Sequence, residues 1–316
     1  EIGSNCSIDR GSLQDTIIGL SQTFVGSNNM NLLEPVGQFG TRLLGGKDSS
    51  SPRYIFTHLS KNFKNLFNSN DFSTLNYLDD DGFSIEPSFY VPVLPLILIN
   101  GACGIGTGFS TDVPCFNPDD LKDRLLKLVD DPDADIEELM PWYKGFTGKI
   151  TKIEENRWIT QGVYKIESNT VTITELPIGT WTEDYKSHLD KLETENEIYS
   201  YTNKSTETDV HFEIKIPLEN IVNWRDNREF EKKLKLTSML SAKNIHVFNE
   251  KNEIIKMESV EEIVYRFWTI RCEYYIKRQK DISDKLSKDL NLINSKINFV
   301  NDVIDENVKV FRQKIS

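Results

Sequence analysis

The segment from Gln38 to Phe56 constrains this chain more tightly than any other part of its sequence. Three glycines between positions 40 and 46 mark a loop that turns sharply or lets its backbone approach a ligand. Pro52 then follows serines that can cap a helix, so we predict that a helix begins there. An apolar stripe along this predicted helix would leave Tyr54 on the opposite, solvent-facing side. The stripe consists of Ile55, Phe56, Leu59, Phe63, Leu66 and Phe67.

The predicted first turn holds Arg53 beside Tyr54, at the helix end where the dipole and the free N–H groups favour an anion. Between residues 38 and 67 the only acid is Asp48, although the chain of 316 residues has a net charge of −12. An isolated Arg-Tyr pair is usually an ordinary surface feature. The local excess of positive charge is therefore what indicates a phosphate-binding face. The basic residues are Arg42, Lys47, Arg53, Lys61 and Lys64.

The same glycines suggest a comparison with the phosphate-cradling loop of nucleotide-binding enzymes, Gly-x-x-x-x-Gly-Lys-Ser/Thr. Counting from Gly40, one residue too many precedes the Gly46-Lys47 pair. Asp48 also stands where that loop needs a metal-binding hydroxyl. The segment therefore does not predict a nucleotide site.

A second glycine-rich run, residues 101–108, follows an almost continuous apolar stretch over residues 87–100. We predict that the stretch forms a strand, and a strand ending in Gly-x-Gly-x-Gly is a weak signal for a dinucleotide-binding enzyme. Pro114 and Pro118 interrupt the helix that such a fold needs next, and no second parallel strand with a ribose-binding acid follows. A dinucleotide-binding enzyme is therefore the less favoured alternative. On residue type alone, Ile105 within the run is expected in the core.

Helical periodicity predicts an early helix, a central one and a long final one. Apolar spacing from Ser12 predicts the first helix, and Asn117 with Pro118 predicts the cap of the second. Beyond residue 259 the chain reads as helical throughout, with a coiled-coil seam at spacings of four and three. The seam consists of Leu286, Leu290, Ile293, Ile297, Val300 and Ile304.

Between these helices the pattern changes to alternation. Residues 68–86, rich in aspartate, are expected to form an exposed, solvated excursion. The run Thr180–Glu183 has the pattern of a helix capping box. Alternating residues predict half-buried strands at 148–153, 163–166, 171–174 and 210–216. The fold class expected is therefore α+β.

Composition excludes several classes of protein. A net charge of −12 argues against a chain that coats nucleic acid over its whole surface. The net charge is compatible with DNA binding through a single basic face, because salt screens charges that lie more than about 10 Å apart. The four cysteines show no Cys-x-x-Cys pairing, so we expect neither a disulfide frame nor a zinc site. The isolated residues His188, His211 and His246 are typical of structural or surface histidines.

No apolar run reaches the ~18–20 residues of a membrane span, and no signal peptide opens the chain. We therefore expect an intracellular protein without membrane contact. Neither end has an obvious cap, so the chain is expected to be a piece of a longer polypeptide.

Several runs resemble, nearly letter for letter, the DNA-binding and cleavage portion of eukaryotic-type (type IIA) DNA topoisomerase II. The breakage-reunion segment of that family is matched by Gly37-Gln-Phe-Gly-Thr-Arg42, Gly45-Gly-Lys-Asp48 and Ser51-Pro-Arg-Tyr-Ile-Phe56. Further matches follow in the same order, so the resemblance extends from near Ser12 to near Lys280. They include Glu86-Pro87, Asn100-Gly-Ala102, Gly104-Ile-Gly-Thr-Gly108, Trp142-Tyr143 and Thr174-Glu-Leu-Pro177.

The resemblance implies an enzyme that cleaves DNA. In that family the tyrosine matched by Tyr54 attacks a DNA phosphodiester, and the arginine matched by Arg53 stabilises the transition state. The isoleucine matched by Ile105 is a wedge inserted between base pairs to bend the duplex. Further candidate DNA contacts are Gln38, Arg42, Lys47, Asn28 and Asn29, although a plain turn role is an equal alternative for the two asparagines.

The resemblance also implies an architecture and partners. We expect a winged-helix domain with the catalytic tyrosine over residues 1–117, a mixed α/β tower domain over 118–258, and a coiled-coil arm over 259–316 that stops before the lower gate. The implied partners are double-stranded DNA, a second copy in a homodimer, and the acidic metal-binding and ATPase domains of the same polypeptide. Mg²⁺ and ATP would be bound outside this segment, in which no residue is predicted to ligate a metal. The implied location is the nucleus or another intracellular DNA compartment.

A non-catalytic, DNA-bending relative of that family is the alternative function. Such a relative would be expected to lack Tyr54 or Arg53, and both are present.

Overall fold

Residues 10–308 are described by a computed structural model of the chain, which is mixed α+β and ends in a long helix, as predicted. These residues divide into two compact units. One comprises the described residues up to Leu66 together with Pro92–Trp268; the other comprises Phe67–Val91 together with the described residues from Thr269 onward. This partition differs from the three expected domains, whose boundaries stay a prediction.

Eight helices and fifteen strands follow one another along residues 10–308. The helices are α1 (Arg10–Ser21), α2 (Lys61–Leu66), α3 (Leu96–Asn100), α4 (Pro118–Asp130), α5 (Thr182–Thr194), α6 (Leu218–Asp226), α7 (Phe230–Lys233) and α8 (Val260–Ile304). The strands are β1 (Leu33–Val36), β2 (Phe56–Leu59), β3 (Tyr77–Asp80), β4 (Phe83–Pro87), β5 (Ala102–Gly106), β6 (Phe109–Val113), β7 (Lys149–Glu154), β8 (Arg157–Gln161), β9 (Val163–Glu167), β10 (Thr170–Glu175), β11 (Ser200–Asn203), β12 (Phe212–Lys215), β13 (Thr237–Ser241), β14 (Ile245–Phe248) and β15 (Ile254–Met257).

Antiparallel pairing builds the sheets of the first unit. Strands β1 and β2 pair, as do β5 and β6, and β14 and β15. A three-stranded sheet has the order β13-β8-β7, and a four-stranded sheet has the order β11-β12-β10-β9. The alternating strands predicted from the sequence are therefore confirmed. One large buried cluster includes Val171, Ile173, Tyr185, Leu189, Phe212, Ile214 and Trp224.

The helix predicted to begin at Pro52 is wrong. Pro52–Tyr54 forms only one 3₁₀ turn, after which the chain continues as β2. Aromatic and β-branched residues favour an extended chain when a partner strand is available, and β1 supplies that partner. Tyr54, the last residue of this 3₁₀ turn, is exposed, and the next residue, Ile55, is buried. The tyrosine is therefore exposed at a 3₁₀ turn and not on the solvent-facing side of a helix.

The strand predicted over residues 87–100 is also wrong. Its prolines cannot donate backbone hydrogen bonds to a sheet, and the stretch ends in the short helix α3. The glycine-rich run that follows forms β5 and the turn to β6. The first strand of this region is thus the glycine-rich run itself.

The acidic excursion of residues 68–86 is only partly exposed. It contains the β3–β4 hairpin, whose turn at Asp81 is exposed. Asp71, however, is 3% exposed, and its carboxylate accepts a hydrogen bond of 2.8 Å from Arg271 Nη2. Arg278 Nη1 lies 3.3 Å from the other carboxylate oxygen. A buried carboxylate between two arginines therefore ties this segment to α8 within the second unit.

Helix α8 confirms the long final helix. All six residues of the predicted seam lie on it, and each is between 50% and 71% exposed. The helix therefore presents an apolar line to the surface, and its pairing in a coiled coil stays a prediction.

Removal of the buried carboxylate should destabilise the second unit. Asp71→Ala leaves two arginines without their counter-ion, and the loss of one partner of a buried pair costs about 3–5 kcal/mol. Asp281→Ala removes a half-buried carboxylate that pairs with Lys285 at 2.6 Å and accepts from Ser73 at 2.7 Å. It should cost less than Asp71→Ala, because water screens the pair with the exposed Lys285. Thermal unfolding of both variants beside the parent measures the difference, and equal losses would contradict a structural role for Asp71.

Candidate functional site

The candidate nucleophile projects from an anchored backbone. Tyr54 is 71% exposed, and its backbone N–H donates to the carbonyl oxygen of Ser51 at 2.9 Å. The next residue, Ile55, is buried with Ile18 and Phe39. The phenol therefore faces solvent while the backbone beneath it is fixed by the core.

Arg53 lies beside the phenol. Its guanidinium carbon is 5.9 Å from the centroid of the Tyr54 ring, and its side chain is exposed. A planar guanidinium can donate two parallel hydrogen bonds to a phosphate, and at this separation one phosphate can contact both side chains. The structure thus brings the predicted pair together, although at a 3₁₀ turn and not at the N-terminus of a helix.

The loop that precedes this turn is closed by side-chain hydrogen bonds. The Asp48 carboxylate accepts from the backbone N–H of Thr41 at 2.8 Å and from the Thr41 hydroxyl. Gln22 Nε2 donates to the carbonyl oxygens of Phe39 at 2.9 Å and Gly46 at 3.2 Å. Asp48 therefore stabilises the loop internally, which is a role that the sequence analysis missed.

Arg42, predicted as a DNA contact, points into the protein. Its side chain is 6% exposed, and its Nη2 donates to Glu175 Oε1 and, at 3.2 Å, to the carbonyl oxygen of Leu176. The second oxygen of Glu175 accepts from the N–H and the hydroxyl of Thr147 at 3.2 and 3.1 Å. A buried guanidinium that is already paired cannot reach a phosphate, so we remove Arg42 from the candidate DNA contacts.

Backbone contacts attach the same loop to the start of α5. The carbonyl oxygens of Arg42 and Leu43 accept from the N–H groups of Thr182 at 3.5 Å and Glu183 at 3.0 Å. The predicted capping box is wrong, because the cap position is occupied by Trp181 without a side-chain hydrogen bond. The loop caps the helix instead.

A glycine makes this close approach possible. Gly45 has a φ of +62°, and a Cβ built on it would lie 2.4 Å from the indole of Trp181. Any side chain at this position would push the loop away from α5. The sequence predicted that a glycine here lets the backbone approach a ligand, and in the structure the backbone approaches Trp181 instead.

The other predicted contacts divide into exposed and occupied side chains. Lys47 is exposed, and Gln38 is half-buried, with its Oε1 accepting from Gly40 N at 3.3 Å. Asn28 Nδ2 donates to two backbone carbonyl oxygens at 2.7 and 2.9 Å. Asn29 is 5% exposed and makes three hydrogen bonds to backbone groups at 2.8 to 3.1 Å. These bonds support the turn alternative for both asparagines.

Ile105 lies near the tip of the β5–β6 hairpin. It is 93% exposed, so the expectation of a core residue is wrong. The glycines around it build two antiparallel strands and their turn, not a junction between a strand and a helix. The dinucleotide-binding alternative therefore loses the feature that suggested it.

Other reactive side chains do not assemble into a site within residues 10–308. No three His, Cys, Asp or Glu side chains there are placed to hold a metal ion. Burial raises the pKa of the Cys115 thiol to about 12, which is typical of an inert structural cysteine. Cys103, Cys115 and Cys272 are free thiols, and Cys6 lies outside the described residues.

His188 behaves as the structural histidine that the sequence predicted. Its Nε2 donates to the carbonyl oxygen of Lys233 at 2.8 Å, and burial lowers its pKa. Among the described helices, none combines the length and the apolar character needed to cross a membrane.

Glu175 is a site-positioning residue that the sequence analysis missed, although a signal was present. In β10 it alternates with Val171 and Ile173, which are fully buried. An acid on the buried face of a strand needs a partner of opposite charge. The pattern could therefore have predicted a buried ion pair, but not the identity of the arginine.

A family model that describes the A subunit of DNA gyrase/topoisomerase IV matches residues 10–316. The chain belongs to this family. The chain is 40% identical over 301 residues to the mitochondrial DNA topoisomerase 2 of Dictyostelium discoideum, and the aligned residues cover 95% of this chain and 23% of that protein. It is also 40% identical over 309 residues to DNA topoisomerase 2 of Penicillium chrysogenum, covering 96% and 19%. This topoisomerase-family chain thus spans about a fifth of the length of the curated relatives it matches.

A solved structure gives the same assignment. The crystal structure of the Plasmodium falciparum topoisomerase II DNA-binding, cleavage and re-ligation domain matches with a TM-score of 0.92 and 37% identity, over 98% of this chain and 43% of that chain. The resemblance to topoisomerase II and the α+β fold class of this topoisomerase-family chain are therefore confirmed.

Two basic residues of one loop should respond differently to replacement by alanine. Arg42→Ala leaves Glu175 buried without its counter-ion, which should cost about 3–5 kcal/mol of stability. Lys47→Ala should leave the melting temperature near that of the parent and lower the salt dependence of DNA binding by about one phosphate contact. Thermal unfolding and salt titrations of DNA binding measure both effects. An Arg42→Ala variant of parental stability would contradict the assignment.

Proposed function

We propose that this chain is the DNA-binding and cleavage portion of a type IIA DNA topoisomerase, which transiently breaks both strands of a duplex for strand passage, driven by ATP in the full enzyme. Tyr54 is the nucleophile, and Arg53 binds the reacting phosphate. The observation that carries the proposal is the exposed Tyr54–Arg53 pair on an anchored backbone. The relatives named DNA topoisomerase 2 support it.

The chemistry is a transesterification. The hydroxyl oxygen of Tyr54 attacks the phosphorus and passes its proton to a base. The bond between phosphorus and the 3′ oxygen breaks, and the departing 3′ oxygen takes up a proton from an acid or from water. The products are a 5′-phosphotyrosyl ester and a 3′-hydroxyl, and attack of that hydroxyl on the ester restores the strand. A phenol is mostly protonated at neutral pH, so the base is required.

The guanidinium of Arg53 supplies positive charge at the phosphate, where negative charge develops during the reaction. The five-coordinate phosphate carries more negative charge on its outer oxygens than the diester does. A planar fork of N–H donors can bind two of those oxygens at once, which stabilises the transition state more than the ground state.

Exposed cations support binding of the DNA backbone on the same segment. The exposed cations are Lys47, Arg53, Lys61 and Lys64. Within residues 10–308, none of these four side chains forms an ion pair with an acid, whereas Arg42 is paired and buried. The four can therefore bind phosphates without first breaking an internal pair, and Gln38 can add a polar contact.

Ile105 is the proposed wedge. Insertion of an apolar side chain between base pairs costs a few kcal/mol per step, and the contacts of the bent duplex offset that cost. A side chain that is 93% exposed can make this insertion without leaving the protein core.

The cofactors proposed for the whole enzyme are bound by parts of the polypeptide other than residues 10–308. Within residues 10–308, no three His, Cys, Asp or Glu side chains are placed to hold a metal ion, and no step is assigned to a metal bound there. We propose that Mg²⁺ and ATP are bound by an acidic domain and an ATPase domain of the same polypeptide. A second copy of the chain would supply the tyrosine for the other strand, in the nucleus or another intracellular DNA compartment.

Replacement of the nucleophile tests the proposal. Tyr54→Phe in the complete polypeptide should abolish covalent attachment to DNA and leave non-covalent binding nearly unchanged, because an exposed hydroxyl does not contribute to packing. Complexes trapped with denaturant on end-labelled duplex measure attachment, and gel shifts measure binding. Tyr199→Phe, at another tyrosine that is 66% exposed, is the matched control. Parental levels of covalent complex in Tyr54→Phe refute the assignment. Binding without any cleavage by the parent would instead favour a DNA-bending relative.

The wedge has a separate test. Ile105→Ala should reduce the bend angle measured by fluorescence transfer and weaken binding to long intact duplex more than to nicked duplex. Its melting temperature should stay near that of the parent. Ile99→Ala, at an isoleucine that is 0% exposed, should lose about 2–5 kcal/mol of stability and serves as the core control. A large loss of stability in Ile105→Ala with an unchanged bend would end the wedge assignment.

A further inference from the structure

The hairpin that carries Ile105 is braced by strand β14, and we infer that His246 on that strand is a positioning residue for the wedge. The inference rests on the proposed function, because it requires Ile105 to enter the DNA. His246 is half-buried and does not itself lie at the tip of the hairpin. It acts through the backbone and a ring of β6.

The first contact joins the imidazole to the residue opposite the wedge. In the register of β5 and β6, Ile105 faces Ser110. His246 Nδ1 lies 2.8 Å from the carbonyl oxygen of Ser110. A carbonyl oxygen only accepts, so Nδ1 carries the proton and donates it. This hydrogen bond therefore holds β6 at the level of Ile105.

The second contact joins the backbone of His246 to the next residue of β6. Thr111 Oγ1 donates to the carbonyl oxygen of His246 at 2.5 Å and accepts from its N–H at 2.8 Å. The N–H of Asp112 donates to the carbonyl oxygen of Asn244 at 2.8 Å. Three consecutive residues of β6 are thus bonded to β14 or to the residue before it.

The third contact extends to the other strand of the tip. The ring of His246 lies 6.0 Å from the ring of Phe109, centroid to centroid. Phe109 faces Gly106 across the hairpin, and a Cβ on Gly106 would lie 2.5 Å from the Phe109 ring. That ring therefore covers the residue next to Ile105, and His246 supports both strands.

These contacts matter because a two-stranded hairpin alone is marginally stable in water. Unstacking a base step costs a few kcal/mol, and a hairpin that yields by bending would leave the step stacked. Bonds from β14 to residues 110–112 remove that freedom next to the tip. His246 supplies the side-chain bond nearest the wedge.

Base unstacking gives a direct readout of the wedge. The complete polypeptide is bound to duplexes that contain 2-aminopurine, and the step used is the one at which Ile105→Ala loses the parental rise in fluorescence. His246→Ala should reduce this rise about two- to tenfold, the range that corresponds to the loss of one hydrogen bond. The melting temperature and binding to nicked duplex should stay near parental values.

Two amide variants separate positioning from general packing. His246→Asn places an N–H donor close to the position of Nδ1 and should restore the signal. His246→Gln places its amide one carbon farther away and should not. His211→Ala is the control, since His211 faces Glu213 at 3.2 Å in a different part of the first unit and should behave as the parent.

Each outcome decides a separate point. A loss of signal in Ile105→Ala with a parental signal in His246→Ala overturns the inference and leaves the wedge in place. A step that is unstacked by the parent and equally by Ile105→Ala overturns the wedge itself. If His246→Ala is too unstable to bind DNA, the comparison of His246→Asn with His246→Gln tests the inference instead. A signal only in His246→Asn supports the inference, and equal signals in the two variants overturn it.

Discussion

The geometry of the candidate site depends on the buried carboxylate of Glu175. It is 3% exposed and accepts hydrogen bonds from Arg42, from Thr147 and from the N–H of Leu176. Removal of one partner of such a pair leaves a buried charge without compensation, which is strongly destabilising. The loop that precedes Tyr54 therefore cannot leave the end of β10 without leaving two charges unpaired. This ion pair and the backbone hydrogen bonds to α5 act together with the apolar packing of Phe39 against Ile18 and Ile55.

That attachment divides the basic residues of the loop by function. Arg42 points inward and pairs with Glu175, whereas Lys47 and Arg53 are exposed and accessible for the phosphate contacts proposed for them. A buried ion pair adds little net stability relative to an apolar replacement, so its value here is geometric. The backbone of the same loop supplies the carbonyl oxygens that cap α5, a helix whose own cap residue makes no side-chain hydrogen bond. The loop is thus attached by a buried side-chain pair and by separate backbone bonds to a helix end.

Sequence patterns correctly predicted the features that depend on residues close together in the chain. Asn117 caps α4 by accepting from Asp119 N at 2.9 Å, as the residues indicated, and the periodicity beyond residue 259 predicted α8. Two of the wrong predictions share a cause, which is a partner distant in the chain. The predicted helix after Pro52 lost to a strand because β1 pairs with it. The charge of Arg42 was counted as surface charge because its acid lies 133 residues away. Neither partner can be found from the periodicity or composition of a single segment.

Tyr54 and Ile105 share one structural feature that bears on the roles proposed for them. Each lies next to a residue that is held in place. Tyr54 ends a 3₁₀ turn beside the buried Ile55, and Ile105 lies on β5 opposite Ser110, which is bonded to His246. Ordering the backbone of one residue costs about 1–2 kcal/mol. Here folding has already met that cost at both positions. In the proposed function, the free energy of DNA contact is therefore available for bending the duplex and for binding the reacting phosphate, because neither side chain has to order its own backbone first.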